Sequence, residues 1–240
     1  MRFVLILFMT VISVLANVAT AAEKVLVFGG TGKLGAYIVA DLINAGDAVT
    51  VFARSTSDRS RLKGLDVNYA IGNLDNGNEI ASAIESGKFT VLIDASGRRA
   101  DVFSYDHGQA MQQIVKSSEK SGVRQIIFIS SVGAGDNIKN FPDIKWGEYT
   151  SFLQERGRAE SAVFKGQVPY TIIRTGGLVI DGDAPATGKG KLVEDQTALG
   201  MITRRDLALL VVDCVAKLAC ISKVFHATDD SLKLPGEAKL

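Results

Sequence analysis

A short apolar strand running directly into three spaced glycines constrains this chain more than any other feature. Residues Lys24 to Gly35 read KVLVFGGTGKLG, with Gly29, Gly32 and Gly35 in the spacing GxxGxxG. Glycine lets the backbone turn tightly and brings N–H groups close to a ligand without interference from a Cβ. The helix expected from about Lys33 aims the positive end of its dipole at the same place, which suits phosphate. A glycine triplet alone would also serve any tight strand-to-helix connection. The next twenty residues narrow the choice: an amphipathic helix with Leu34, Ile38, Val39, Leu42 and Ile43 on one face, closed by Gly46, and a second strand at Ala48 to Ala53. That is a βαβ unit, and its first turn points to the pyrophosphate of a dinucleotide. Gly29, Thr31, Gly32, Lys33, Leu34 and Gly35 form the expected phosphate-facing set.

At the end of the second strand of such a unit an acidic residue receives the ribose 2′-OH of NAD. Here the residue is Arg54. A planar guanidinium fits the 2′-phosphate of NADP, so NADP is expected ahead of NAD, with Arg59, Arg61 and Lys33 available to add charge. The alternative for Arg59 and Arg61 is a solvated basic loop.

Further along, strands are expected near Val67 to Ile71, Phe89 to Asp94, Gln125 to Ser130, Tyr170 to Arg174 and Lys223 to Ala227, with helices between them. The alternation predicts a single α/β domain over residues 23–240, a Rossmann-like doubly wound parallel sheet preceded by a hydrophobic leader. Two irregular segments, 132–148 and 176–203, fall at the strand ends where ligands gather and are expected to form a substrate lip. Phe141 and Trp146 are candidates for an apolar lid, or for simple packing of the loop.

In its landmarks the chain resembles the atypical short-chain dehydrogenase/reductases with an NAD(P)H-binding, NmrA-like domain. These landmarks are GNLDN from Gly72, VLIDASG from Val91, GVRQIIFISSVGAG from Gly122, RGRAE from Arg156, VPYTIIRTGGL from Val168 and ITRRDLA from Ile202. The resemblance implies that Asn73 and Leu74 flank the adenine, that Ala95, Ser96 and Gly97 pass close to the ribose, and that Ser130 and Ser131 lie beside the nicotinamide. Where the family usually has Asp, this chain has Asn73, which keeps a hydrogen-bond acceptor. Reductases at the centre of the superfamily use a Tyr and a Lys four residues later; those positions hold Phe152 and Arg156 here. Phenylalanine transfers no proton, and Arg156 stays charged and suits a ribose hydroxyl or phosphate. Ser131 and Tyr149, one helical turn earlier, are the remaining catalytic candidates. Two readings stay open: an NADP-dependent oxidoreductase on a small carbonyl compound, or a noncatalytic dinucleotide-sensing or scaffold module with a protein partner.

The first 22 residues carry Arg2, an apolar run from Phe3 to Leu15 and the small-x-small site Ala19-Thr20-Ala21. This is the pattern of a secretory signal peptide or, if uncleaved, of a membrane anchor. It predicts an exported or periplasmic domain, with a membrane-anchored or organellar one as the alternative. Lys and Arg total 27 against 26 Asp and Glu, a balance that argues against nucleic-acid binding and against a charged membrane-binding patch. Cys214 and Cys220 fall on one expected helix, Arg204 to Leu218 or slightly beyond, where six residues of rise would separate them by about 9 Å, beyond disulfide reach. They are expected to be two apolar packers, and no metal site is expected. His107 and His226 have no evident partner in the sequence and read as surface or strand-end residues.

Overall fold

The computed structural model describes residues 22–97, 106–178 and 184–233. Most of the leader expectation therefore falls on residues outside this set. The chain opens with β1 (Lys24–Phe28), α1 (Lys33–Asn44) and β2 (Ala48–Ala53). Then come β3 (Asn68–Ile71), α2 (Gly77–Gly87), β4 (Val91–Asp94), α3 (His107–Ser121) and β5 (Gln125–Ser131). The second half holds α4 (Tyr149–Lys165), β6 (Tyr170–Thr175), β7 (Gly177–Leu178), β8 (Lys191–Val193), β9 (Met201–Ile202), α5 (Arg204–Asp213) and β10 (Lys223–Thr228).

Eight strands form one sheet in the order β3-β2-β1-β4-β5-β6-β10-β8. All its pairings are parallel except the edge strand β8, which runs antiparallel to β10. The strands covered on both faces are nearly continuous apolar runs, as in QIIFI of β5, because neither face meets water. On one face α1 and α5 pack over Val27, Val51, Ile93, Ile127 and Ile173. On the other, α2, α3 and α4 cover Phe28, Phe52, Leu92, Phe128 and Ile172. The side chains of Asn76, Asp106 and Thr203 cap the N-termini of α2, α3 and α5, each accepting from backbone N–H groups of the first turn. No side chain caps α1, which begins after Gly32 with no acidic residue in its first turn. The strand order reverses between β1 and β4, so the crevice at their carboxyl ends is the topological switch point.

The cysteines correct the expectation drawn from the sequence. Helix α5 stops at Asp213, the chain turns, and Ala216 adopts a left-handed conformation with φ of 53°. Cys214 and Cys220 thereby come to a Cα separation of 5.5 Å and form a disulfide. The expected separation assumed an unbroken helix, and the break removes that premise. The closed loop is tied to the amino-terminal end of the sheet by Gln125, whose side chain donates to the Cys214 carbonyl at 3.0 Å and accepts from the Ala216 N–H at 2.8 Å. Thr171 donates to the Cys220 carbonyl at 2.7 Å. For so short a loop, replacing both cysteines by alanine is expected to cost about 2 kcal/mol, because the unfolded chain regains the closure entropy. Thermal unfolding of the double variant beside the oxidised parent would check it. A midpoint indistinguishable from the parent's would mean that the disulfide does not stabilise the fold.

Candidate functional site

The glycine turn sits at the switch point and touches the end of β4. Ala95 donates its N–H to the Phe28 carbonyl at 3.0 Å, continuing the β1 to β4 ladder past the strand ends. Gly29 has φ of +75°, and a Cβ there would lie 2.6 Å from the Cα and the N of Ser96. A Cβ on Gly35 would lie 2.2 Å from the Gly29 carbonyl oxygen. Two glycines are thus required by backbone-to-backbone contact, apart from any ligand. Gly32 donates to the Gly29 carbonyl at 2.9 Å and accepts from Ala36, closing the turn into α1. Gly32 and Lys33 are exposed, Thr31 is half-buried, and Leu34 packs on the core. An uncapped helix start without acidic neighbours, beside a backbone platform of Ala95, Ser96 and Gly97, fits the pyrophosphate of a dinucleotide.

Arg54 follows β2 directly and is exposed. Arg59, further along the same loop, lies over the Tyr69 ring at 4.3 Å, while Arg61 is exposed and adds its charge beside Asp58. At the end of β3, the Asn73 side-chain oxygen accepts from Asp75 N–H at 3.3 Å and the Asn73 N–H donates to Glu79 at 2.7 Å. Leu74 is half-buried against the α2–α3 side of the sheet.

Under the Ala95–Gly97 platform lies a buried polar network that the sequence did not reveal. Asp94 Oδ1 accepts from both the N–H and the hydroxyl of Ser96, at 2.8 and 2.5 Å. Its Oδ2 stands 2.8 Å from His107 Nε2. Arg156, 5% exposed, donates Nη2 to the Ser96 carbonyl at 2.8 Å and Nη1 to the Ile129 carbonyl at 3.3 Å. Its guanidinium lies between the Phe128 and Phe152 rings, at 5.5 and 5.1 Å. Burial by itself would raise the Asp94 carboxyl, yet His107, Ser96 and Arg156 together hold it below its ordinary value. Burial, reinforced by Arg156, pushes the His107 imidazole below its own ordinary value in spite of Asp94. The consistent state is an ionised Asp94 accepting from a neutral His107 that is protonated on Nε2. Arg156 Nη1 and His107 Nε2, 3.4 Å apart, are then two donors in contact and not a hydrogen bond. The expectation that His107 is a surface or strand-end residue is thus corrected: it is 6% exposed at the start of α3.

Gln196 joins the two irregular segments expected to form a lip, 132–148 and 176–203. Its carbonyl accepts from Asn137 at 3.0 Å and from Asn140 at 3.1 Å. Its side chain accepts from Arg174 Nη1 at 2.7 Å and donates to the Val224 carbonyl at 2.9 Å. Arg174 also holds Glu160 of α4 through two bonds of 2.9 and 2.6 Å, and both side chains are buried. In register, Ser130 and His226 flank Arg174 on the neighbouring strands. His226 donates Nδ1–H to the Ala198 carbonyl at 2.6 Å; burial, helped by Arg174, holds the imidazole below its ordinary value. It is fully buried within β10, so it too departs from the surface or strand-end expectation. Phe141 stacks on His226 at 6.4 Å and meets Trp146 edge-on at 6.2 Å. Among the described residues, the Ser130 hydroxyl, Trp146 Nε1 and His226 Nε2, with Arg59 Nε in the loop after β2, are buried without a hydrogen-bond partner. Ser131 donates to the Val132 carbonyl at 3.1 Å. Tyr149, at the start of α4, is 69% exposed.

Asp94, His107, Glu160 and Gln196 were missed as members of these networks because their partners are distant in sequence. One signal was present. An aspartate inside the apolar strand VLID must find a partner when the strand is buried on both faces.

The sequence profile described as NAD(P)H-binding matches residues 29–217. An uncharacterised chloroplastic protein of Arabidopsis thaliana is 28% identical over 94% of this chain and 74% of its own length. Sanguinarine reductase of Eschscholzia californica is 26% identical over 77% of this chain and 81% of its own. Among solved structures, an anaerobillin reductase from Escherichia coli O157:H7 superposes with a TM-score of 0.76 at 23% identity, covering 88% of this chain and 99% of that one. The glycine turn at the switch point, the doubly wound sheet and a profile match across most of the chain make this protein a member of the NAD(P)H-binding, NmrA-like domain family.

Proposed function

We propose that the chain is an NADP-binding oxidoreductase of the atypical short-chain type, acting on a small carbonyl compound at the lip. The observation that carries this reading is the juxtaposition at the switch point. The uncapped start of α1, the Ser96 backbone packed on Gly29 and exposed Arg54 lie along one path for a dinucleotide with a 2′-phosphate. When bound, the nicotinamide supplies the redox chemistry, and the protein positions it. On the substrate side, Ser130, Trp146 and His226 each hold a polar atom ready for a substrate group or a water. A second reading has its own support. Phe152 occupies the phenol position and Tyr149 is exposed, so no described side chain stands ready as the acid of a Tyr/Lys pair. On that reading the domain is a noncatalytic dinucleotide sensor or scaffold.

An oxidising compartment fits the buried Cys214–Cys220 disulfide and the leader pattern of residues 1–22. An organellar one fits the chloroplastic relative.

The test is a calorimetric titration of parent and Arg54→Ala with NADPH and with NADH, followed by turnover on a panel of aldehydes, ketones and quinones. The parent is expected to favour NADPH, and the variant to lose about tenfold or more for NADPH with little change for NADH, as removal of a charge-assisted phosphate contact predicts. Equal losses for both cofactors would remove the 2′-phosphate role. Saturable binding with no turnover across the panel would select the sensor reading.

A further inference from the structure

Arg156 stands where reductases of this superfamily carry the lysine of their catalytic pair, yet its guanidinium is directed into the protein. Both of its described backbone contacts are carbonyls near the carboxyl ends of adjacent strands: Ser96, two residues past β4, and Ile129, two residues before the end of β5. The guanidinium therefore bridges the ends of two adjacent strands. The segment it holds is the one that packs against the glycine turn, with Ser96 Cα and N close enough to Gly29 to forbid a Cβ there. Asp94 holds the same segment from below through the Ser96 N–H and hydroxyl. His107 fixes the other oxygen of Asp94, and the His107 N–H donates to Glu155 of α4 at 3.1 Å, one residue before Arg156. The start of α3, the body of α4 and the end of β4 are thus bound into one unit directly beneath the platform.

We propose that Arg156, with Asp94 and His107, is a positioning device for the dinucleotide: it locks Ala95–Gly97 against the Gly29 turn so that the cofactor meets a preformed floor. The inference rests on the dinucleotide-binding reading above and assigns Arg156 a part in cofactor affinity in place of proton transfer. Arginine suits the task where lysine would not, because its planar fork reaches two carbonyls at once from a fixed geometry. An ammonium has three donors but all on one atom, without the rigid fork whose two nitrogens here reach two separate carbonyls. Asp94 supplies the compensating charge that lets Arg156 stay buried. A platform held before the ligand arrives avoids the ordering cost on binding, and that cost is what the variants restore.

The experiment measures NADPH affinity by calorimetry and the thermal midpoint together, in the full chain. Arg156→Lys keeps the charge balance, so it is expected to fold with a midpoint near the parent's and to bind NADPH about tenfold more weakly. The double variant Asp94→Asn/Arg156→Met removes both charges, so its midpoint should return most of the way from that of Arg156→Met alone while its affinity stays low. Affinity equal to the parent's in Arg156→Lys overturns the proposal. So does recovery of affinity together with the midpoint in the double variant, which would reduce the network to charge compensation. A parent that binds neither NADPH nor NADH would overturn the dinucleotide-binding reading itself, and that result is distinct from the other two.

Discussion

Glu160→Gln is expected to lower stability by about 3–5 kcal/mol. Glu160 and Arg174 are 3% and 7% exposed, and they exchange two hydrogen bonds across the α4 to β6 contact. Glutamine fills the same space but leaves the guanidinium buried without a counter-charge. The full desolvation penalty of Arg174 then falls on the folded state. In a chain of this size the loss corresponds to a fall in the thermal midpoint of roughly 10 °C. The companion variant Glu160→Met/Arg174→Met removes both charges and should recover most of it, because the pair contributes less in net terms than its disruption costs. Thermal and urea unfolding of the two variants decide the matter. A drop below about 2 °C for Glu160→Gln would mean that the pair is solvated in solution. The double variant carries a second reading: Arg174 also holds Gln196, so the loop around Gln196 should become more susceptible to proteolysis even where stability is regained.

Gly35→Ala should separate cofactor binding from folding. An added Cβ meets only backbone, 2.2 Å from the Gly29 oxygen and 2.7 Å from the Gly30 Cα, so no flexible side chain can yield. The first turn of α1 must move away from the glycine turn, which costs about 1–3 kcal/mol of packing strain. The same displacement withdraws the helix N-terminus from the phosphate position, and NAD(P)H affinity is expected to fall by a hundredfold or so, since small misplacements of a binding geometry are expensive. Gly46→Ala is the control. Gly46 has φ of +93° and open space around its would-be Cβ, so alanine there incurs backbone strain of about 1 kcal/mol and leaves the dinucleotide path untouched. Equal affinities in the two variants would show that the turn does not hold the pyrophosphate.

The sequence made the longer strands legible because each is an apolar run bounded by turn residues. The spans of β1 and β2 are as expected, and β3 begins at Asn68 rather than Val67. Strand β4 starts at Val91, two residues after the expected Phe89, which instead packs beside Gly87 at the end of α2. The short strands β7, β8 and β9 lay inside a segment read as irregular. Two or three residues carry no detectable alternation, and their pairing is set by partners elsewhere in the chain. The disulfide escaped for a related reason. Nothing in the run from Arg204 to Leu218 announces that Ala216 will take a left-handed conformation, since that choice is stabilised by Gln125, far away in β5.

What the sequence determined by itself is local in origin. The glycine spacing fixes a tight strand-to-helix turn, the apolar periodicity fixes which faces are buried, and Arg54 sets the charge at the end of β2. What only the tertiary structure decided is which distant polar groups meet. Arg156 reaches Ser96 across 60 residues of sequence, His107 reaches Asp94 across 13, and Arg205 reaches Asp41 across 164. Local rules are written in bonds and dihedral angles between near neighbours, which a sequence displays. Buried charges are tolerated only where a partner lies within a few ångströms, and that distance exists only once the sheet has brought the strand ends together.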